Sequence, residues 1–484
     1  MNKELRRVSI VVLLMFVALF GSSTVIQVFQ QDNLKADSRN VRTLYDSFSA
    51  ERGPILVDGE PIAESVPVDD EYKYQRVYAD GPLYSAVTGY FTLNQGNTGI
   101  EGALNDYLSG TANEQFLDQL NAVITGQNPK GAAVELTIDP AVQKAAWDAL
   151  GDQQGAVVAL DPKTGAILAM VSKPAYDPSK LATHDPAAFR TAYDSLIGDP
   201  SDPLINRAIA GDLNPPGSTF KLVVTATALA NGLSPDTTFP NPPRLTLPQS
   251  TAVITNAEGG SCGGGKTATI ATALRLSCNI PFAQLGLQLG YAKIAEQARE
   301  FGFGDENLTI PMAVEPSVYP PTASDAEQML SSFGQASDRV SPLQMAMVSA
   351  AVANGGQLMR PNVVESITAP DLNELQGFQP EVYSTPISAE NAATMTQLMV
   401  SNVANGAASN ARIEGIDVGG KTGTAQNGDG EPYTLWFTGF APANDPQVAV
   451  AVVVENGGGL GQSGFGNLVA APIARTVMEA VLNR

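Results

Sequence analysis

Histidine is nearly missing from this chain: His184 is the only one in 484 residues. That scarcity excludes whole mechanisms. Multi-histidine zinc sites and the HExxH metallopeptidase helix need more than one imidazole. A Ser-His-Asp hydrolase would have to recruit His184, although no Gly-x-Ser-x-Gly turn occurs in the chain. With polar Thr183 and Asp185 beside it, His184 reads as a surface loop residue. No Walker phosphate loop is present, and Gly457-Gly458-Gly459 is too short a string for a dinucleotide site. Neither a metal nor an organic cofactor is implied.

Positive charge is also scarce. The chain carries 28 Lys and Arg against 49 Asp and Glu, a formal net charge of -21, and beyond its first few residues it has no basic cluster. Such a surface repels phosphate backbones, so nucleic acid is not an expected partner. Cysteine is limited to Cys262 and Cys278. In an oxidising compartment these would pair, and closing a loop of that size contributes about 3 kcal/mol in the chain-entropy model. The alternative is two buried free thiols.

One long apolar run is present. Residues 8–29 contain no charged side chain and follow Lys3, Arg6 and Arg7. About twenty residues at helical rise span a bilayer core, and flanking basic residues hold that end in the cytoplasm. Residues 1–7 are therefore expected as a cytoplasmic tail, 8–29 as a single-pass anchor in the cytoplasmic membrane, and the remainder as extracytoplasmic. A cleaved signal peptide, with Gly21, Ser22 and Ser23 near the cut, is the rival reading.

Residues 30–133 mix short strand-like pieces at 54–57 and 72–77 with Gly-rich turns and a helical stretch around 113–124, which reads as a small α+β pedestal. A second domain is expected over 134–484. It opens with Asp139 as cap and Pro140 at the first position of a helix, followed by a hairpin of 155–160 and 166–171 about the turn 161–165. Five prolines in 234–248 and five glycines in 259–265 mark loops around a site. Strands at 435–440 and 448–454 and a closing helix at 471–482 complete an antiparallel sheet. Helices flank that sheet, and the middle of the chain forms a helical lobe.

A serine nucleophile without histidine needs another base, and a desolvated lysine can serve. Pro215-Pro216-Gly217-Ser218-Thr219-Phe220-Lys221 runs into an apolar helix over 222–230 and puts Ser218 and Lys221 on one face of its first turn. Alone, Ser-x-x-Lys is common by chance. Two further elements follow in order, Ser277-Cys278-Asn279 and Lys421-Thr422-Gly423-Thr424. With these three, the chain resembles a class B penicillin-binding protein over nearly its full length. Arg52-Gly53-Pro54-Ile55, Gly334-Gln335, Ser341-Pro342-Leu343-Gln344-Met345 and Trp436-Phe437-Thr438-Gly439 add support.

The resemblance implies the α/β fold of the penicillin-recognising serine transpeptidases and a D,D-transpeptidase activity on peptidoglycan stem peptides ending in D-Ala-D-Ala, in growth or division, blocked by β-lactam antibiotics. It makes Ser218 the acylated nucleophile, Lys221 its base, and Ser277 with Asn279 a proton shuttle and substrate contact. Lys421, Thr422 and Thr424 would bind the substrate carboxylate, and the N–H groups of Ser218 and Thr424 would form the oxyanion hole. Gly423 is read as leaving room for substrate along the strand. A disulfide from Cys262 to Cys278 would staple the glycine loop to the Ser-Cys-Asn segment. A polytopic glycosyltransferase of the RodA or FtsW type is the implied partner. β-Lactamase, carboxypeptidase and a non-turnover penicillin sensor or scaffold share the acyl-enzyme. Against the first of these, Tyr319 stands where a lactamase asparagine would follow Glu315.

Overall fold

The structure is a computed structural model and describes residues 2–26, 50–92, 95–115, 130–211, 213–257 and 259–484. The last three residues of the expected anchor, the opening of the pedestal and most of the helix expected over 113–124 lie outside them; Asn113–Gln115 is a single 3-10 turn. The N-terminal helix spans Asn2–Thr24. Its segment Leu5–Thr24 has mean hydropathy 1.9, and none of it is buried against protein. Two of its four hydroxyls return to their own helix, Ser9 donating to Leu5 O and Thr24 to Phe20 O, so these two are satisfied without water.

The central sheet has five antiparallel strands in the order Gly419–Ala425, Thr434–Ala441, Val448–Val454, Gly155–Leu160, Ile167–Lys173. The early hairpin and the late strands pair as the alternation of turns and apolar runs suggests. Val448–Val454 is buried at every position, which requires cover on both faces. Alternate residues divide accordingly. Val450, Val452 and Val454 join the helices Pro140–Leu150 and Ala470–Leu482, whereas Ala449, Ala451 and Val453 join the helical lobe. On the lobe side lies Pro342–Ala353, a helix buried along nearly its whole length, capped by Ser341 and started by Pro342. Thr438 inside the sheet donates to Met345 O and meets Ser349 Oγ at 2.6 Å, which fixes this helix on the sheet without a buried polar atom left over.

The pedestal sheet is ordered Glu374–Gly377, Val364–Thr368, Ala133–Leu136, Ile55–Val57, Glu60–Pro67, Tyr74–Tyr78. Ala133–Leu136 pairs with Ile55–Val57 in parallel and with Val364–Thr368 antiparallel. The sheet thus crosses the expected division at 133/134 and takes two strands from far down the chain. Nothing local in residues 364–377 announces that destination. Within this unit Glu101 is buried between Arg52 and Arg76, with both Nε–Oε distances 2.6 Å and Tyr78 Oη donating at 3.2 Å. His184, expected as a plain surface residue, instead reaches the pedestal, with Nδ1 2.6 Å from Asp70 Oδ2.

Candidate active site

Ser218 lies in the 3-10 turn Gly217–Phe220, and Lys221 is the first residue of the α-helix Lys221–Ala230. Gly217 is required there. Its φ is +52, and a Cβ would come 3.0 Å from the carbonyl carbon and oxygen of Thr424. Behind the turn, Gly217 N donates to Gly334 O at 2.9 Å, and Trp436 Nε1 donates to Pro215 O at 2.9 Å. The serine is held by backbone on both sides.

Lys221 Nζ, fully buried, lies 2.9 Å from Ser218 Oγ, 2.8 Å from Ser277 O and 2.9 Å from Asn279 Oδ1. The Phe282 and Phe333 rings, 5.5 and 5.9 Å away, wall it from solvent. Burial first, and the charge of Lys421 second, hold its amine well below the usual lysine range. Lys421 Nζ, equally buried, lies 2.7 Å from Ser277 Oγ and 2.8 Å from Thr422 O. Burial pushes it down to about 7. Ser277 sits between the two lysines in a left-handed conformation, φ +59, uncommon for a side chain of this kind and typical of functional turns. The five residues expected to carry the chemistry are therefore joined by one hydrogen-bond chain.

The edge strand Gly419–Ala425 presents Lys421 and Gly423 toward the turn that carries Ser218. The expected steric reason for Gly423 needs correction. A Cβ there would lie 2.8 Å from Pro216 O, 3.0 Å from Trp436 Cβ and 3.1 Å from Thr219 Cγ2, so the crowding comes from the protein. The glycine lets the turn dock on the strand. Thr422 and Thr424 leave the strand on the alternate side; Thr422 donates to Ala407 O at 3.1 Å, and Thr424 Oγ1 accepts from Gly466 N at 3.2 Å.

Cys262 and Cys278 form a disulfide with Cα atoms 5.8 Å apart, joining the glycine loop to the Ser-Cys-Asn segment. Two residues that sequence reasoning passed over support the same segment: buried Asn256, whose Oδ1 accepts from Asn279 N and Ile280 N, and buried Asn241, which holds the loop. Asn241 sits in the Pro-rich stretch 234–248, which marks only a loop, and Asn256 follows the short strand Val253–Thr255 with no local signal of its own. Glu315 is exposed, and Tyr319 is buried with its ring stacked 5.0 Å from Phe220. Among the described residues no group of three or more His, Cys, Asp or Glu could hold a metal ion.

Comparison with known proteins places this geometry in a family. Residues 155–479 match the penicillin-binding protein transpeptidase domain, and residues 52–134 match the penicillin-binding protein A dimerisation domain. The chain is 43% identical over 490 aligned positions to the peptidoglycan D,D-transpeptidase PbpA of Mycolicibacterium smegmatis, covering 100% of this chain and 99% of that one. It is 40% identical, with the same coverage, to the PbpA of Mycobacterium tuberculosis. A solved ceftriaxone acyl-enzyme complex of penicillin-binding protein A from M. tuberculosis superposes with a TM-score of 0.87 at 39% identity, over 90% of this chain and all of that one. Matched from pedestal to final helix, with Ser218, Lys221 and Lys421 at the heart of the matched region, this chain belongs to the class B penicillin-binding protein transpeptidases.

Proposed function

We propose that this protein is a peptidoglycan D,D-transpeptidase in which Ser218 is the nucleophile and Lys221 its base. The observation that carries the reading is the environment of Lys221 Nζ. As a neutral amine it has two N–H bonds and one lone pair. Ser277 O at 2.8 Å and Asn279 Oδ1 at 2.9 Å accept the two protons, which leaves the lone pair for the Ser218 hydroxyl at 2.9 Å. Burial keeps that amine neutral where an exposed lysine would be charged.

In the first half-reaction Ser218 Oγ attacks the carbonyl of the penultimate D-Ala, and its proton passes to Lys221. The C–N bond to the terminal D-Ala breaks, and the leaving amine takes a proton through Ser277, which touches both lysines. In the second, the amine of another stem peptide attacks the ester, forming the cross-link and returning Ser218 to its hydroxyl form. The N–H groups of Ser218 and Thr424 receive the oxyanion in both. A β-lactam ring opened by Ser218 follows the first half-reaction and leaves no departing group, which traps the acyl-enzyme.

Lys421, in its protonated form, would pair with the substrate carboxylate. Thr424 keeps its own O–H for that carboxylate while accepting from Gly466; Thr422 would have to turn from Ala407 to join it. As an edge strand, Gly419–Ala425 can take up an extended peptide beside it. The apolar helix at the N-terminus supports residues 8–29 as an anchor, with residues 1–7 inside and the pedestal and transpeptidase domains outside. The pedestal so placed would engage a glycosyltransferase of the RodA or FtsW type, which would supply the glycan strand.

Intact-protein mass spectrometry with a fluorescent penicillin tests the reading. A long-lived adduct on the wild type that Ser218→Ala abolishes is expected. An adduct lost within minutes with release of hydrolysed drug would make the protein a lactamase, and no adduct would sink the site.

A further inference from the structure

Asn279 must hold its Oδ1 on Lys221, yet it stands at the first position of the helix Asn279–Leu289, where backbone N–H groups have no partner within the helix. The residue that would ordinarily cap those groups is Cys278, and its sulfur is committed to the disulfide, so it makes no side-chain cap. The cap comes instead from 23 residues upstream in the chain. Asn256 Oδ1 accepts from Asn279 N at 3.0 Å and from Ile280 N at 3.1 Å. Its Nδ2 is spent on the other side, donating to Gly260 O at 3.1 Å and to Asn241 Oδ1 at 3.3 Å. Asn241, fully buried, donates in turn to Cys262 O at 2.7 Å and Gly265 O at 3.0 Å, and its Oδ1 accepts from Cys262 N at 3.2 Å. The neighbouring Thr255 O takes Asn279 Nδ2 at 3.0 Å, which sets which way the Asn279 amide faces.

We infer that Asn256, backed by Asn241, is a positioning residue for the transpeptidase reaction: a remote helix cap that fixes the Asn279 amide on the general base. The inference rests on Lys221 as the base of Ser218. It follows from hydrogen-bond counting, because Asn256 is itself buried and both ends of its amide are used, one on the helix Asn279–Leu289 and one on the glycine loop and buried Asn241. The disulfide and the asparagine pair are parallel ties between the same two segments. The covalent one fixes the distance between them; the amides fix the orientation of the Asn279 backbone.

The test uses the full chain in detergent and follows the rate of acylation by a fluorescent penicillin. Asn256→Leu keeps the branched outline of the side chain and removes every hydrogen bond. Asn256→Asp keeps the acceptor over the helix N-terminus, where a carboxylate is favourable, and removes only the donors to the loop. Asn256→Leu is expected to acylate about tenfold more slowly or worse, and Asn256→Asp to recover to within about threefold of wild type, since small displacements of a catalytic group cost rate steeply. Equal losses in both variants, tracking their melting temperatures, would mean a purely structural asparagine and overturn the inference. So would an unimpaired Asn256→Leu. If Asn256→Leu does not fold, Asn241→Ala takes its place, expected about threefold slower; a wild-type rate there overturns the inference. A wild type without a Ser218-dependent adduct would instead remove the reading of the site beneath it.

Discussion

At the scale of single residues, the two lysines decide how this protein responds to pH. Lys221 works only as a free amine, so acylation should fall as the pH drops through its depressed pKa. Lys421 binds a carboxylate only when charged, so binding of carboxylate-bearing substrates should weaken as the pH rises past about 7. A bell-shaped profile of kcat/KM, centred well below the ordinary lysine range, is expected; a profile that keeps rising to pH 10 would contradict it. Stability should move as well. Folding lowers the pKa of Lys421 from the ordinary value of about 10.4 to about 7, so between those values the unfolded chain binds more protons and stability rises with pH. Lys421→Met should abolish much of that rise in Tm. Ser218, Lys221 and Lys421 were legible in sequence because their spacing is stereotyped. Asn241 and Asn256 were not, because a loop asparagine looks the same whether it holds a catalytic helix or faces water.

Among elements, the decisive contact is between the nucleophile turn and the edge strand. Gly423→Ala would press a methyl against Pro216 O, backbone that cannot yield alone, so the turn or the strand must shift. Acylation is expected to fall by about tenfold or more, with a lower Tm, because Ser218 and the Thr424 N–H move apart. An alanine variant with wild-type acylation would show that the turn adapts. Breaking the 262–278 disulfide with Cys262→Ala and Cys278→Ala should cost about 3 kcal/mol of stability in chemical denaturation, and slow acylation less than Asn256→Leu does, since the asparagine pair still orients the helix. The two strands of the hairpin 155–171 and the helix after Asp139 could be read locally from alternation, caps and turns. The cover provided by Pro342–Ala353 could not, because a helix apolar on all sides reveals that it is buried but not what buries it.

On the scale of the whole molecule, pedestal and catalytic lobe are built from interleaved chain and should nonetheless be separable in function. Glu101→Gln leaves two buried guanidinium groups without their carboxylate and is expected to destabilise the protein by about 3–5 kcal/mol, while the fraction that stays folded acylates at the wild-type rate; slower acylation by folded protein would show that the pedestal tunes the site. Removal of residues 1–29 should release the protein from membranes in a fractionation assay without altering acylation, since every group around Ser218 lies between Asn214 and Gly466. The sequence by itself determined the Ser218–Lys221 pair, the apolar N-terminal run and the cysteines, because these depend on residue type at short spacing and on composition. Only the tertiary structure decided that strands 364–377 complete the pedestal sheet, that Gly423 accommodates the nucleophile turn, and that a distant asparagine caps the catalytic helix. Those depend on which surfaces meet across hundreds of residues, where a side chain's partner is set by burial and hydrogen-bond satisfaction in three dimensions and leaves no periodic trace along the chain.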